Sequence, residues 1–407
     1  MSHLFPKIPF QLAKNRWVTV EAEFGDRQRA VINKEGLAEA RKCISAWPGY
    51  AATPLLELPA LARELGIGRL FYKQESERFG LRSFKPLGGA YAVQQCLMRE
   101  VAIRLDRKIV TSDDILSRKY DTIVSDLTVT AATDGNHGRS VAWGAQLFGC
   151  RCVIYINKTV TPEREKAIEA YGAEVRRYPG SYDDAVREAF DIAKRENWFV
   201  IPDTTDGNVI DAPRDVTQGY AVMAAEAIEQ LPDNKPLTHM FLQAGVGGMA
   251  AAMCGQFWLE FGASKPRSIL VEPEQAACWF ASLEKGEPTV IDGDIDSFMA
   301  GLACGEISSL AWEILKPGTF AAITIKDEVA PLVMRHLASG FNDDPAIVAG
   351  ESGVSGLAGL IMASFDEPSR QMLGLTQNSV VLVFGSEGAT DETMYHHIVG
   401  RPWQEIA

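Results

Sequence analysis

Residues 127–156, LTVTAATDGNHGRSVAWGAQLFGCRCVIYI, decide the fold class of this chain. The apolar run 127–131 reads as a strand, Gly135-Asn136-His137 as a turn, the stretch to Phe148 as a helix, and 151–156 as a second strand. Short apolar runs separated by helices are the pattern of parallel strands covered on both faces. The pattern continues outward. Thr161-Pro162-Glu163 supplies a cap and a first-turn proline for a helix over 162–170, which Gly172 ends. A strand at 173–177 follows, then a helix over 181–196 with Tyr182, Ala185, Ala189 and Ile192 at helical spacing, then a strand at 198–201. Further on the spacing predicts helix 217–230, strand 239–243, helix 248–260, strand 268–271, strand 320–325, helices near 327–339 and 353–364, and strand 379–384. Toward the N-terminus it predicts an irregular arm, a helix from Gly36 to about Ala46, a short helix over 58–65, a strand at 70–73 and a helix from Gly89 to about Leu105. The polar segment 106–126 reads as a surface excursion.

A chain of 407 residues is too long for one simple core. No Gly-, Ser- or Pro-rich linker divides it, so two domains with crossings between them are expected. The fold class is α/β, with two doubly wound parallel-sheet domains and the active site in the cleft between them. Residues 1–88 and 225–407 would form the larger, cofactor-binding domain and 89–224 the smaller one. A formal charge of −13 argues against nucleic acid and against an anionic membrane as partners. No stretch is long and apolar enough to span a bilayer. The N-terminus lacks a charged-then-apolar signal pattern, so a cytoplasmic location is expected. Seven cysteines do not form a disulfide scaffold, and six scattered histidines give no metal site.

Four loops carry candidate chemistry. Ser83-Phe84-Lys85-Pro86-Leu87-Gly88-Gly89-Ala90 places one lysine just before a glycine pair and a helix. A partly desolvated amine there is a usable nucleophile, although a single lysine near a helix start is usually a solvated surface residue, and Lys85 alone reads first as that. Thr133-Asp134-Gly135-Asn136-His137-Gly138 opens a helix and suits a carboxylate or another anion, with Asn136 able to hold a polar ring substituent. The alternative is a tight turn that only needs Gly and Asn. Gln243-Ala244-Gly245-Val246-Gly247-Gly248 follows a strand, and its backbone amides can converge on a phosphate. It fits neither the dinucleotide fingerprint nor a nucleotide-triphosphate loop. Gly385-Ser386-Glu387-Gly388 offers a hydroxyl that can meet a weakly basic ring nitrogen, or simply a capped helix start. An amine, a ring-oxygen partner, a phosphate cradle and a ring-nitrogen partner together make the list a pyridoxal 5'-phosphate site requires.

With these residues in view, the chain resembles the fold-type II pyridoxal phosphate enzymes, the tryptophan synthase β-like group. Within that group it is most similar to the diaminopropionate ammonia-lyases. The matching stretches are 78–81, 83–91, 133–139, 243–248, 271–273, 299–306 (MAGLACGE), 350–353 (GESG), and Ser386–Gly388 with Asp391. The resemblance implies that Lys85 binds the cofactor covalently and then moves protons, with Phe84 beside it. Asn136 would contact the 3′ oxygen, Ala244, Gly245, Val246, Gly247 and Gly248 the phosphate, and Ser386 the pyridine nitrogen. Thr133, Asp134, Gly135 and His137 would contact a small amino-acid substrate. Asp134 would be a second base at Cα, and Asp203 a carboxylate near the substrate amine. The family also implies a homodimer.

The implied reaction is α,β-elimination of ammonia from D- and L-2,3-diaminopropionate. Residues 205–213 depart from the family's aromatic-Glu-Gly-Tyr stretch, so a dehydratase of a β-hydroxy amino acid is the second reading. A non-catalytic cofactor carrier or amino-acid sensor is a third. Cys278 and Cys304 lie in matching segments, which raises a disulfide between them against the thiols a cytosolic location favours.

Overall fold

A computed structural model describes the chain apart from residues 1–4, 20–22, 108, 134, 159, 181, 206, 233–235, 292, 294 and 407, and apart from the side chains of 182 and 183. In chain order its strands are β1 (Gln11–Lys14), β2 (Leu55–Glu57), β3 (Arg69–Gln74), β4 (Thr128–Thr133), β5 (Arg151–Ile156), β6 (Glu174–Arg177), β7 (Phe199–Val200), β8 (His239–Gln243), β9 (Arg267–Pro273), β10 (Thr319–Ile325) and β11 (Val380–Gly385). The chain forms two compact units. The first comprises residues 1–33, 52–83 and 223–407, and the second 34–51 and 84–222. Relative to the expected division, residues 34–51, 84–88 and 223–224 change sides.

The first unit holds a seven-stranded sheet in the order β1-β10-β9-β8-β11-β3-β2. Its five central strands are parallel. They are near-continuous apolar runs because both faces are covered, as in VVLVFG of β11, where every residue is buried. Phe241, Ile269, Val271, Ile323, Val381 and Val383 build the core with the helices Val329–Ser339 and Ser355–Phe365. Two antiparallel edge strands extend this parallel sheet. β1 pairs antiparallel with β10, and β2 antiparallel with β3. Both are short edge strands; QLAK has no apolar alternation to announce it.

A buried ionic cluster fixes the end of β3. Lys73 Nζ donates to Thr53 O, Glu226 Oε2 and Gln230 Oε1 at 2.6, 2.9 and 3.0 Å. Arg78 grips Glu75 through Nε at 2.8 Å and Glu226 through Nη1 and Nη2 at 2.8 and 2.6 Å. Two cations and two carboxylates balance, which is the condition under which buried charge is tolerated.

The second unit is built on the four-stranded sheet β6-β5-β4-β7, parallel throughout. The helix Asn136–Phe148 packs on it and carries Pro86–Arg104 against its other side, and Tyr182–Glu196 covers Val153 and Tyr155 through Ala185 and Ala189. The helix expected at 217 begins at Asp211, because Pro213 sits in its first turn, where a missing N–H costs nothing. The segment 106–126 is more ordered than expected. It forms the short helices Ser112–Leu116 and Asp121–Val124, which bury Ile115 and Val124. A Thr111–Asp114 capping box starts the first of them.

Candidate active site

In the second unit the strand order turns at β4, with β5 and β6 on one side and β7 on the other. Loops at the carboxyl ends of strands beside such a switch point form ligand sites. The loop after β4 carries Thr133 to His137, and the loop after β7 carries Asp203. Thr133 Oγ1 accepts from the N–H groups of Gly135 and Gly138, each at 3.0 Å, and this folds the turn. Gly135 has φ +151°, which a side chain would strain, and Asn136 opens the helix that follows. Asp134 lies outside the described residues.

Lys85 caps the helix Pro86–Arg104, and its Nζ donates to Asp203 Oδ2 at 2.7 Å. The ammonium also lies 5.6 Å from the centroid of Phe84 and 5.9 Å from that of Tyr220. Those two rings pack at 4.6 Å. Burial pushes the Asp203 carboxyl up, but Lys85 and His137 outweigh it and hold the group below the usual carboxylate range. His137 is buried, and burial pushes its imidazole down, toward the neutral form. Its Nε2 must carry the proton, since it donates to the Ile201 carbonyl at 2.7 Å. Its Nδ1 lies 3.9 Å from Asp203 Oδ2 and has no hydrogen-bond partner among the described residues. The Lys85 ammonium and the bare Nδ1 of His137 thus both lie near Asp203 Oδ2.

In the first unit the order turns between β8 and β11. The loop after β8 is Ala244 to Gly247, leading into the helix Gly248–Phe261, and Ser386 follows β11. Gly247 has φ +100°, and a Cβ there would lie 2.4 Å from the Trp279 ring; one on Gly245 would lie 3.1 Å from Cys304 Sγ. The loop is therefore a glycine cradle at a helix N-terminus, which fits a phosphate. Gln243 Nε2 donates to Phe384 O and to Ser386 Oγ, both at 2.7 Å. With its oxygen accepting, the buried Ser386 hydroxyl keeps a proton to donate.

Lys85, Phe84, Thr133, Gly135, Asn136, His137 and Asp203 thus share the second unit, and Ala244–Gly248 with Ser386 share the first. Residue reading overlooked Tyr220, one aromatic in an Ala-rich helix with no local signal. It also overlooked the bridging amide of Gln243, although that residue opens the glycine motif. All seven cysteines are present as thiols, Cys278 and Cys304 included. Among the described residues no group of three or more His, Cys, Asp or Glu side chains is placed to hold a metal ion, and no helix is long and apolar enough to cross a membrane.

Comparison with known proteins agrees with this geometry. Residues 46–384 match the family model described as pyridoxal-phosphate dependent enzyme. The chain is 40% identical over 356 residues to the diaminopropionate ammonia-lyase of Escherichia coli strain K12, covering 86% of this chain and 88% of that protein. Among solved structures, the holo diaminopropionate ammonia lyase from Escherichia coli superposes with a TM-score of 0.87 at 35% identity, covering 98% of each chain. The same enzyme in complex with an aminoacrylate-PLP azomethine reaction intermediate gives 0.84 at 36% identity, again covering 98% of each. On sequence, fold and the two glycine-bearing loops together, the chain belongs to the pyridoxal-phosphate dependent enzymes and, within them, to the family of the diaminopropionate ammonia-lyases.

Proposed function

We propose that this protein is a pyridoxal phosphate-dependent ammonia-lyase that eliminates ammonia from D- and L-2,3-diaminopropionate. With one water consumed, the products are pyruvate and two ammonia. The Lys85–Asp203 pair carries the reading: an amine beside the Phe84 ring and bonded to a carboxylate supports Lys85 as the covalent lysine.

The cofactor would be held by Lys85 with Phe84 beside it, by Asn136, by the amides of Ala244–Gly248 and by Ser386. When bound it acts as an electron sink that acidifies the substrate Cα–H. The protein's own groups do the rest. Lys85, which would hold the cofactor, moves a proton at Cα on one face. Asp134 is the base for the opposite face, so that both enantiomers are accepted. Asp203 stays ionised and holds an ammonium, first that of Lys85 and then that of the substrate. Thr133, Gly135 and His137 surround the substrate, and the bare Nδ1 of His137 accepts one of its N–H groups. A hydroxyl at Ser386 meets the ring nitrogen without protonating it, whereas a carboxylate would.

A specific observation favours one second reading, a β-hydroxy amino acid dehydratase. Residues 205–213 replace the family's aromatic-Glu-Gly-Tyr stretch. Here Thr205 is buried and its Oγ1 accepts from Gly207 N at 2.9 Å, folding a tight turn two residues past Asp203. The lyase reading includes a cytoplasmic homodimer. Assay of pyruvate and ammonia on D- and L-diaminopropionate, serine, threonine and 3-hydroxyaspartate separates the two readings. Two ammonia per pyruvate on diaminopropionate is the expected result, and turnover of hydroxy substrates alone would replace the lyase reading with the dehydratase.

A further inference from the structure

The first unit contains a buried carboxylate that the proposed mechanism does not use. Glu272, near the end of β9, has no exposed surface. Its Oε1 accepts from Trp279 N at 2.8 Å and its Oε2 from Phe280 N at 2.7 Å, and Cys278 Sγ lies 3.6 Å from Oε1. These N–H groups open the helix Cys278–Lys285, whose N-cap, Ala277, has no side chain to cap them. A serine or asparagine could cap them without burying a carboxylate, so a helix start alone does not account for Glu272.

The consequence of this cap lies one residue further on. With its backbone N–H fixed by Glu272, Trp279 turns its indole toward the glycine loop, and Nε1 donates to Gly245 O at 3.0 Å. The same ring fills the space that a Cβ on Gly247 would occupy. Glu272, Trp279 and Gly245 thus form a hydrogen-bonded chain from the floor of the sheet to the cradle.

We infer that Glu272 is a positioning residue for the glycine loop: acting through Trp279, it fixes the Gly245 carbonyl and so keeps the loop amides arranged to receive the cofactor phosphate. The inference rests on the reading of Ala244–Gly248 as the phosphate site. The charge state of Glu272 agrees with the role. Burial pushes its carboxyl up to about 8, against the opposing pull of the Trp279 and Phe280 amides, so near neutrality it is mostly uncharged and does not repel a phosphate.

The test is the affinity of the full-length apoprotein for pyridoxal phosphate, read by absorbance titration. The phosphorus NMR resonance of the bound phosphate gives a readout that mere destabilisation of the fold would not shift. Glu272→Ala raises Kd on the order of tenfold or more and moves the resonance. Glu272→Gln, which offers one acceptor oxygen in place of two, keeps only one of the two N–H bonds and raises Kd by less than Glu272→Ala does. Trp279→Phe, which removes the indole donor together with part of the buried ring, raises Kd several-fold, and combining it with Glu272→Ala adds little, because both break one chain. Should Glu272→Ala fail to fold, Trp279→Phe decides. Kd within about twofold of the parent and an unmoved resonance in the folded variants would overturn the inference. Gly247→Val separates the two levels. If it abolishes cofactor binding while the Glu272 and Trp279 variants bind normally, only the role of Glu272 is lost. If it too binds normally, the loop is not the phosphate site.

Discussion

Lys85 Nζ and Asp203 Oδ2 lie 2.7 Å apart, although 118 positions separate them in the chain. Lys85 stands at the start of the helix Pro86–Arg104 and Asp203 in the loop after β7, and the ammonium beside it helps hold Asp203 ionised. Asp203→Asn keeps the shape and removes the countercharge, so kcat/KM on diaminopropionate falls on the order of 10²-fold or more. Burial raises the Asp203 carboxyl, but Lys85 and His137 lower it further, so its folded value is below the unfolded one of about 3.9. The stability this contributes is complete above about pH 4 and is lost as pH falls through the folded value. Acid titration of the parent and the Asp203→Asn apoprotein, followed by circular dichroism, shows a larger acid-dependent loss in the parent.

Asp134→Asn should impair one enantiomer of diaminopropionate more than the other, because a base on one face of Cα serves only the hydrogen on that face. Steady-state kinetics on D and L substrate separately give the ratio. Equal loss on both would remove the face-specific role.

The cluster of Lys73, Arg78, Glu75 and Glu226 is charge-balanced and buried. Glu226→Ala leaves two buried cations with one carboxylate between them and should destabilise the apoprotein by roughly 3–5 kcal/mol. Urea unfolding measures this. A loss under about 1 kcal/mol would mean that water reaches the site and screens it.

Glu272 gives a pH dependence of opposite sign to that of Asp203. Burial raises its folded value to about 8, above the unfolded 4.5, so the native state holds a proton that the unfolded chain has lost. Its contribution is fully present below the unfolded value and declines as pH rises through about 8. Thermal unfolding of the apoprotein between these limits should show stability falling with pH, and Glu272→Gln should flatten the slope.

Much of the fold could be read from the residues, because buried parallel strands are short apolar runs with helices between them. Strands β5 and β8 begin and end where the pattern put them. What could not be read was held by tertiary pairing. Edge strands β1 and β2 gain their conformation from β10 and β3, and the start of the helix Asp211–Gln230 depends on tolerance of Pro213 in a first turn. The same holds at the candidate site. Lys85, Asn136, Gly247 and Ser386 stand out as motifs, whereas Tyr220, Gln243 and Trp279 matter through neighbours distant in sequence.

The most direct measurement on the central claim is borohydride trapping of the holoenzyme followed by peptide mass spectrometry. The account predicts cofactor-derived mass on the peptide containing Lys85 and none in Lys85→Ala. Trapped cofactor on a different lysine, or full trapping in Lys85→Ala, would contradict it.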